Sequence, residues 1–140
     1  ARDVWSVHEA GGRLVVAPNF DAAVVAEARA AAMAAVPGVA TPSEAFAALK
    51  AGATALKLFP AEAIPPEVLR AWRAVLPSAV ALLPVGSIVP ERIAGYRAAG
   101  ASGFGLGSAL YRPGDDARAV GERARRFVAA WDAANGRFTA

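Results

Sequence analysis

Short apolar runs alternate along the chain with alanine-rich stretches, and this alternation limits the possible folds more than any other feature. The centres of consecutive runs lie roughly 20 to 26 residues apart, which is the spacing of parallel strands joined by a crossover helix. The runs, which predict strands, are residues 13–17, 33–36, 53–59, 79–85 and 103–106. The intervening stretches, which predict helices, are residues 22–32, 42–51, 65–76, 90–99 and 117–133. The pattern therefore predicts an α/β fold built from five consecutive βα units.

Five such units without a hairpin signal leave two architectures, a doubly wound sheet and part of a (β/α)8 barrel. No glycine-rich nucleotide-binding fingerprint follows the first strand, and Pro18, Pro37, Pro60 and Gly86 make the loops after the strands short and stiff, which favours the barrel. A closed barrel needs eight strands and at least about 200 residues. We therefore expect residues 1–140 to form a single domain, an N-terminally incomplete TIM barrel in which roughly 60 residues with three βα units precede the chain.

Composition excludes several classes of protein. The sequence is 56% hydrophobic and 19% charged, which excludes disorder. It contains no cysteine and one histidine, His8, so it predicts neither a disulfide framework nor a thiolate or histidine-cluster metal site. The arginines are scattered, and the uncharged stretch 74–90 is short and broken by prolines, so neither a nucleic acid nor a membrane is an expected partner. We expect a cytoplasmic protein that needs no cofactor.

Lys57 lies in the middle of the third predicted strand. Strand alternation puts Leu56 and Leu58 under the helices and turns Lys57 and Phe59 towards the barrel interior. A lysine amine at such a position is expected to attack a carbonyl and form a Schiff base. A structural lysine that pairs with a carboxylate or reaches the strand end is the alternative. Lys50, in the last turn of a predicted helix, is a solvated charge.

Small residues follow the last two predicted strands, at Gly86-Ser87 and at Gly107-Ser108. In barrels, phosphate commonly binds at these positions to backbone N–H groups after strands 7 and 8. A glycine at either turn alone often serves only tight packing. The two turns together predict an anion site.

Six segments follow one another in order along the chain. They are GGRLVVAPN at 11–19, PGVATPSEA at 37–45, GA at 52–53, LKLFPA at 56–61, PVG at 84–86 and GLGSALY at 105–111. Together they resemble the 2-keto-3-deoxy-6-phosphogluconate and 2-keto-3-deoxy-6-phosphogalactonate aldolases over nearly the whole chain. The Pro-Asn ending of the first strand and the Gly-Ser-x-Leu-Tyr segment are more similar to the phosphogalactonate branch.

The resemblance implies a class I aldolase, a homotrimer without a metal, that cleaves a 2-keto-3-deoxy-6-phospho sugar acid to pyruvate and glyceraldehyde 3-phosphate. By this resemblance Lys57 forms the Schiff base, Pro18 lines the pyruvate end and Phe59 packs beside the imine. The residues that it assigns to the phosphate are Gly86, Ser87, Gly107 and Ser108.

Two features depart from the family pattern. The family usually has two glycines where this chain has Gly86-Ser87, which adds a side chain near the phosphate. The family's general acid/base glutamate belongs to the first three βα units, and neither Glu44 nor Glu62 matches it. Glu44 is predicted to form a capping box with Thr41 at a helix start, and Glu62 is predicted to be a solvated carboxylate.

Two other functions stay open on the sequence. A non-catalytic phosphosugar-binding barrel would keep the two glycine turns and make Lys57 structural. A different phosphate-binding barrel enzyme, an isomerase or synthase, would also explain the turns. It would not explain an inward Lys57 followed by Phe59 and Pro60.

Overall fold

Two parallel β-sheets, one of two strands and one of three, are covered by helices in a computed structural model that describes residues 2–136. Every strand except β2, which leads directly into β3, is followed by a helix or a short helical turn, as the alternation in the sequence predicts. The strands are β1 (Leu14–Val16), β2 (Ala34–Val36), β3 (Gly38–Val39), β4 (Ala55–Leu58) and β5 (Ala81–Pro84). The helices are α1 (Arg2–Glu9), α2 (Ala22–Ala30), α3 (Pro42–Lys50), α4 (Pro66–Arg73), α5 (Pro90–Ala98) and α6 (Ala117–Ala134), with a 3-10 turn at Ala61–Ala63.

All strand pairs are parallel, in the order β1–β2 and β3–β4–β5. The sequence places a strand end at Pro37, but the chain stays extended through β3. Proline lacks an N–H, yet the Pro37 carbonyl still accepts a 3.0 Å hydrogen bond from the Lys57 backbone. The predicted strand 103–106 is reduced to a single bridge between Gly105 and Val85, since its glycines offer few side chains to pack.

The helix starts follow local chemistry that the sequence shows. Thr41 and Glu44 form the predicted capping box at the start of α3, and proline occupies an early position of α3, α4 and α5. Asp21 caps α2, and Asp116 caps α6, through side-chain oxygens that accept backbone N–H groups. Helices α3 and α5 end shortly before Gly52 and Gly100, and both glycines have the positive φ that the sequence predicts.

The main core lies between the three-stranded sheet β3–β4–β5 and helices α3 to α6. Leu56 and Leu58 of β4 are fully buried in it, which confirms the predicted outward face of that strand. In the two-stranded sheet β1–β2, Leu14 and Val16 of β1 are 52% and 55% exposed. The α/β class with parallel strands is confirmed, whereas closure into a barrel stays a prediction. None of the helices within residues 2–136 is long and apolar enough to cross a membrane.

Candidate active site

Lys57 lies in the interior of the sheet, where it pairs in register with Gly38 on one side and Leu83 on the other. Its side chain is half-buried rather than buried. The Nζ atom lies 4.4 Å from the centroid of the Phe59 ring, on the same face of the chain. Strand alternation therefore places an amine beside an aromatic ring at the carboxyl end of β4, as the sequence predicts.

Phe59 connects this lysine to a cavity of about 220 Å³. The cavity is lined by the carboxyl ends of β4 and β5 and by the segment after the Gly105 bridge. Phe59 lines it together with all four predicted phosphate residues, which are Gly86, Ser87, Gly107 and Ser108. The backbone N–H of Gly86 faces the Gly105 carbonyl across the single parallel bridge, whereas those of Ser87, Gly107 and Ser108 have no hydrogen-bond acceptor among the described residues. Unsatisfied N–H groups around a cavity are suited to an anion.

Pro18 lies outside this cavity. It follows β1, and its carbonyl packs against Gly38 at the point where any Cβ would overlap that carbonyl. Because Gly38 is the register partner of Lys57, glycine at this position lets the end of β1 approach the strand beside the lysine. The structure thus brings Pro18 to within one strand of Lys57 but not into contact with the phosphate residues.

The turn after β5 has an unusual backbone. Gly86 adopts a φ of 114° and Ser87 a φ of 45°. A Cβ at Gly86 would lie 2.6 Å from Glu62 Oε2 and 3.2 Å from the backbone nitrogen of Ala61, so only glycine fits there. Ser87 has a Cβ, and the left-handed conformation costs such a residue about 1–2 kcal/mol.

Glu62 contacts this turn from the loop after β4. The Ser87 hydroxyl donates a short hydrogen bond to Glu62 Oε1. This hydrogen bond and, to a smaller extent, the charge of Arg92 hold the pKa of Glu62 below its usual value. Glu62 is therefore ionised at neutral pH and exposed to solvent, as predicted, and it also binds a specific partner that the sequence did not indicate.

Tyr96 of α5 joins the same loops from beneath. Its hydroxyl donates a 2.8 Å hydrogen bond to the carbonyl of Ala61 and accepts one of 3.1 Å from Arg92. Both Tyr96 and Ala61 are fully buried. Burial raises the pKa of the Tyr96 phenol, so the hydroxyl keeps the proton that it donates.

The sequence and the fold of this chain are both similar to those of known proteins. The sequence profile of the KDPG and KHG aldolases matches residues 1–119. The chain belongs to this family. It is 46% identical over 128 residues to a probable 2-dehydro-3-deoxy-6-phosphogalactonate aldolase of Rhizobium meliloti, covering 91% of this chain and 60% of that protein. It is 45% identical over 121 residues to the 2-dehydro-3-deoxy-6-phosphogalactonate aldolase of Escherichia coli, covering 86% of this chain and 59% of that protein.

Two solved structures of similar proteins share the fold of this family member. A structure described as native KDPGal is 41% identical and superposes with a TM-score of 0.94, covering 96% of this chain and 66% of that chain. A 2-keto-3-deoxy-6-phospho-gluconate aldolase from Zymomonas mobilis is 26% identical with a TM-score of 0.77, covering 93% and 63%. The chain therefore spans about 60% of the length of the curated relatives that it matches.

The sequence did not predict a role in the site for three residues of this aldolase-family chain: Glu62, Arg92 and Tyr96. They lie outside the segments that were assigned to substrate. The one signal in the sequence was Ser87 itself, because a serine in a glycine-type turn indicates that something nearby holds its backbone. The partner could be identified only in three dimensions.

Proposed function

We propose that the protein is a class I aldolase that cleaves a 2-keto-3-deoxy-6-phospho sugar acid to pyruvate and glyceraldehyde 3-phosphate, with the phosphogalactonate as its preferred substrate. The observation that carries the proposal is the position of Lys57: its amine packs on Phe59, which lines the same cavity as three residues whose backbone N–H groups lack acceptors. The family and the names of the relatives, in which 2-dehydro denotes the same carbonyl as 2-keto, support the substrate class.

In this proposal Lys57 is the nucleophile. Its unprotonated amine attacks carbon 2 of the substrate, and loss of water gives an iminium. A base removes the proton of the carbon 4 hydroxyl, the bond between carbons 3 and 4 breaks, and its electron pair moves onto the iminium nitrogen to give an enamine. Protonation of carbon 3 and hydrolysis then release pyruvate and regenerate the amine. The resemblance assigns the proton transfers to a glutamate that matches neither Glu44 nor Glu62.

The phosphate group of the substrate would occupy the other part of the cavity. The backbone N–H groups that lack acceptors among the described residues belong to Ser87, Gly107 and Ser108, and Gly86 would let the phosphate approach the turn. Backbone donors fixed at the carboxyl ends of parallel strands bind phosphate without a lysine or arginine. Phe59 would then separate the reacting carbonyl from the phosphate, and Pro18 would line the pyruvate end from the neighbouring strand.

We place these five units in a (β/α)8 barrel, a proposal that the all-parallel pairing and the exposed Leu14 and Val16 edge support. The homotrimer and the cytoplasmic location that the resemblance implies stay predictions.

Trapping of pyruvate tests the nucleophile. Incubation of the intact natural protein with pyruvate and borohydride should reduce the iminium and add mass to the peptide that contains Lys57. Lys57→Ala and Lys57→Arg should both abolish the label and the turnover, since arginine stays protonated. Lys50→Arg, a change at the other lysine of the sequence, is the matched control and should leave both intact. A label on Lys50, or none in the wild-type protein, would refute the assignment and leave a phosphosugar-binding protein as the better interpretation.

A further inference from the structure

Ser87 is the residue of the proposed phosphate site whose backbone most needs support. Its φ of 45° lies in the left-handed region, which disfavours residues with a Cβ. Ser87 lines the cavity beside Gly86, and its N–H has no acceptor among residues 2–136. If Ser87 relaxed to an ordinary conformation, its N–H would change direction and the anion site would lose a donor.

Two side chains hold Ser87 in this conformation. Its hydroxyl donates to Glu62, and its carbonyl accepts a 3.4 Å hydrogen bond from Arg92. The N–H is then the one polar group of Ser87 without a protein partner in residues 2–136. The residue is therefore tied on two sides and open on the third, towards the cavity.

Glu62 acts from a fixed position. The neighbouring Ala61 is fully buried, its N–H donates a 2.9 Å hydrogen bond to the Val85 carbonyl, and its own carbonyl accepts from Tyr96 at 2.8 Å. The loop after β4 is thus fastened to the end of β5. A carboxylate on a mobile loop could not hold a neighbouring turn, whereas this one can.

We propose that Glu62 is a positioning residue, whose carboxylate keeps Ser87 in the left-handed conformation and so keeps the Ser87 N–H available to the substrate's phosphate. The inference rests on the proposed function, because it requires that a phosphate binds in this cavity. Glu62 itself need not touch the substrate.

A carboxylate near an anion site also repels the anion, and this effect has the opposite sign. The Arg92 guanidinium, which donates to Ser87 and to Tyr96, lies close enough to offset part of that charge. Removal of Glu62 should weaken phosphate binding if positioning dominates, and strengthen it if repulsion dominates. The sign of one measured change therefore separates the two roles.

The experiment measures the Kd of inorganic phosphate and the KM of the phosphorylated substrate for the intact natural protein. Glu62→Ala should raise both by about five- to tenfold, the lower part of the range expected when a left-handed conformation must be regained on binding. The rate of pyruvate trapping, which involves no phosphate, should change by less than about twofold. Glu67→Ala removes a nearby exposed carboxylate and should leave the Kd unchanged.

The same substitution in a Ser87→Gly variant tests whether Glu62 acts through the backbone conformation of residue 87. Glycine tolerates positive φ, so in Ser87→Gly the additional change Glu62→Ala should no longer raise the Kd and, with the repulsion removed, should leave it unchanged or lower. An equal loss in both backgrounds, or tighter phosphate binding by Glu62→Ala when residue 87 is serine, would overturn the proposal.

Thermal unfolding keeps the proposal separate from the proposed function. Glu62→Ala should lower the Tm when residue 87 is serine and not when it is glycine. A wild-type protein that traps pyruvate without binding phosphate would refute the phosphate site, and the Tm comparison would still test the positioning role. Equal Tm shifts in the two backgrounds would overturn it.

Discussion

Tyr96→Phe should weaken both the fold and the site, because one hydroxyl joins the loops after β4 and β5. The Tyr96 hydroxyl is the hydrogen-bond partner of the Ala61 carbonyl, at 2.8 Å, and of the Arg92 guanidinium, at 3.1 Å. Phenylalanine keeps the packing of the ring against Phe104 and removes only these two hydrogen bonds.

The expected magnitude follows from what each partner can do afterwards. Arg92 is half-buried and can bind water instead, so its loss is small. Ala61 is fully buried, and its carbonyl would lose the phenol but keep the 3.2 Å hydrogen bond from the Ile64 N–H. A typical intramolecular hydrogen bond contributes about 0.5–1.5 kcal/mol to stability. We therefore expect the free energy of unfolding to fall by about 0.5–1.5 kcal/mol, most of it from the hydrogen bond lost at the Ala61 carbonyl.

Denaturant titration of the intact natural protein, followed by tryptophan fluorescence, measures this change. Tyr111→Phe is the matched control, since Tyr111 is 56% exposed and its removal should change stability by no more than about 0.5 kcal/mol. If the two variants were equally stable, the Tyr96 hydroxyl would not be the support that the hydrogen bonds indicate. The reasoning about the Ala61 carbonyl would then be wrong.

Two further predictions concern the cavity and the acid stability. A Cβ at Gly107 would have no atom within 4 Å, so Gly107→Val should fold normally while it fills the phosphate end of the cavity; the KM of the phosphorylated substrate should rise far more than pyruvate trapping slows, and equal damage to both would contradict the assignment. Hydrogen bonds from Arg123 lower the pKa of Asp115 from 3.8 to about 2, so the pair stabilises the fold above pH 3.8 and this contribution disappears as the pH falls towards 2. The stability difference between the wild-type protein and Asp115→Asn, measured by thermal melts across that range, should shrink with falling pH, and a constant difference would refute the linkage.

The elements of the fold could be predicted because their signals are local. Apolar runs located β1, β4 and β5, and proline or threonine at the start of α3 fixed its first turn. Pro37 misled the prediction of a strand end, because a proline that lacks a donor can still accept a hydrogen bond from the next strand. Closure of a barrel is a relation between distant strands, and no local pattern determines it.

The site was predictable to the extent that it consists of strand ends. Parallel strands bring their carboxyl ends to one edge, so the turns after β5 and after Gly105 had to lie near Phe59. The contact between Glu62 and Ser87 joins residues 25 positions apart in different βα units and depends on one backbone angle. Composition and periodicity carry no information about such an angle.

The two ends of the proposed site use the chain in different ways. At one end Lys57 acts through its side chain, so the residue type decides the chemistry. At the other end the donors are backbone N–H groups, which every residue except proline has, so the conformation decides the binding. Residues that touch no substrate, such as Glu62 and Tyr96, can therefore control phosphate affinity by fixing the turn at Ser87. On this argument Tyr96→Phe should raise the KM of the phosphorylated substrate as well as lower stability, because the Ala61 anchor it weakens is also the anchor of Glu62.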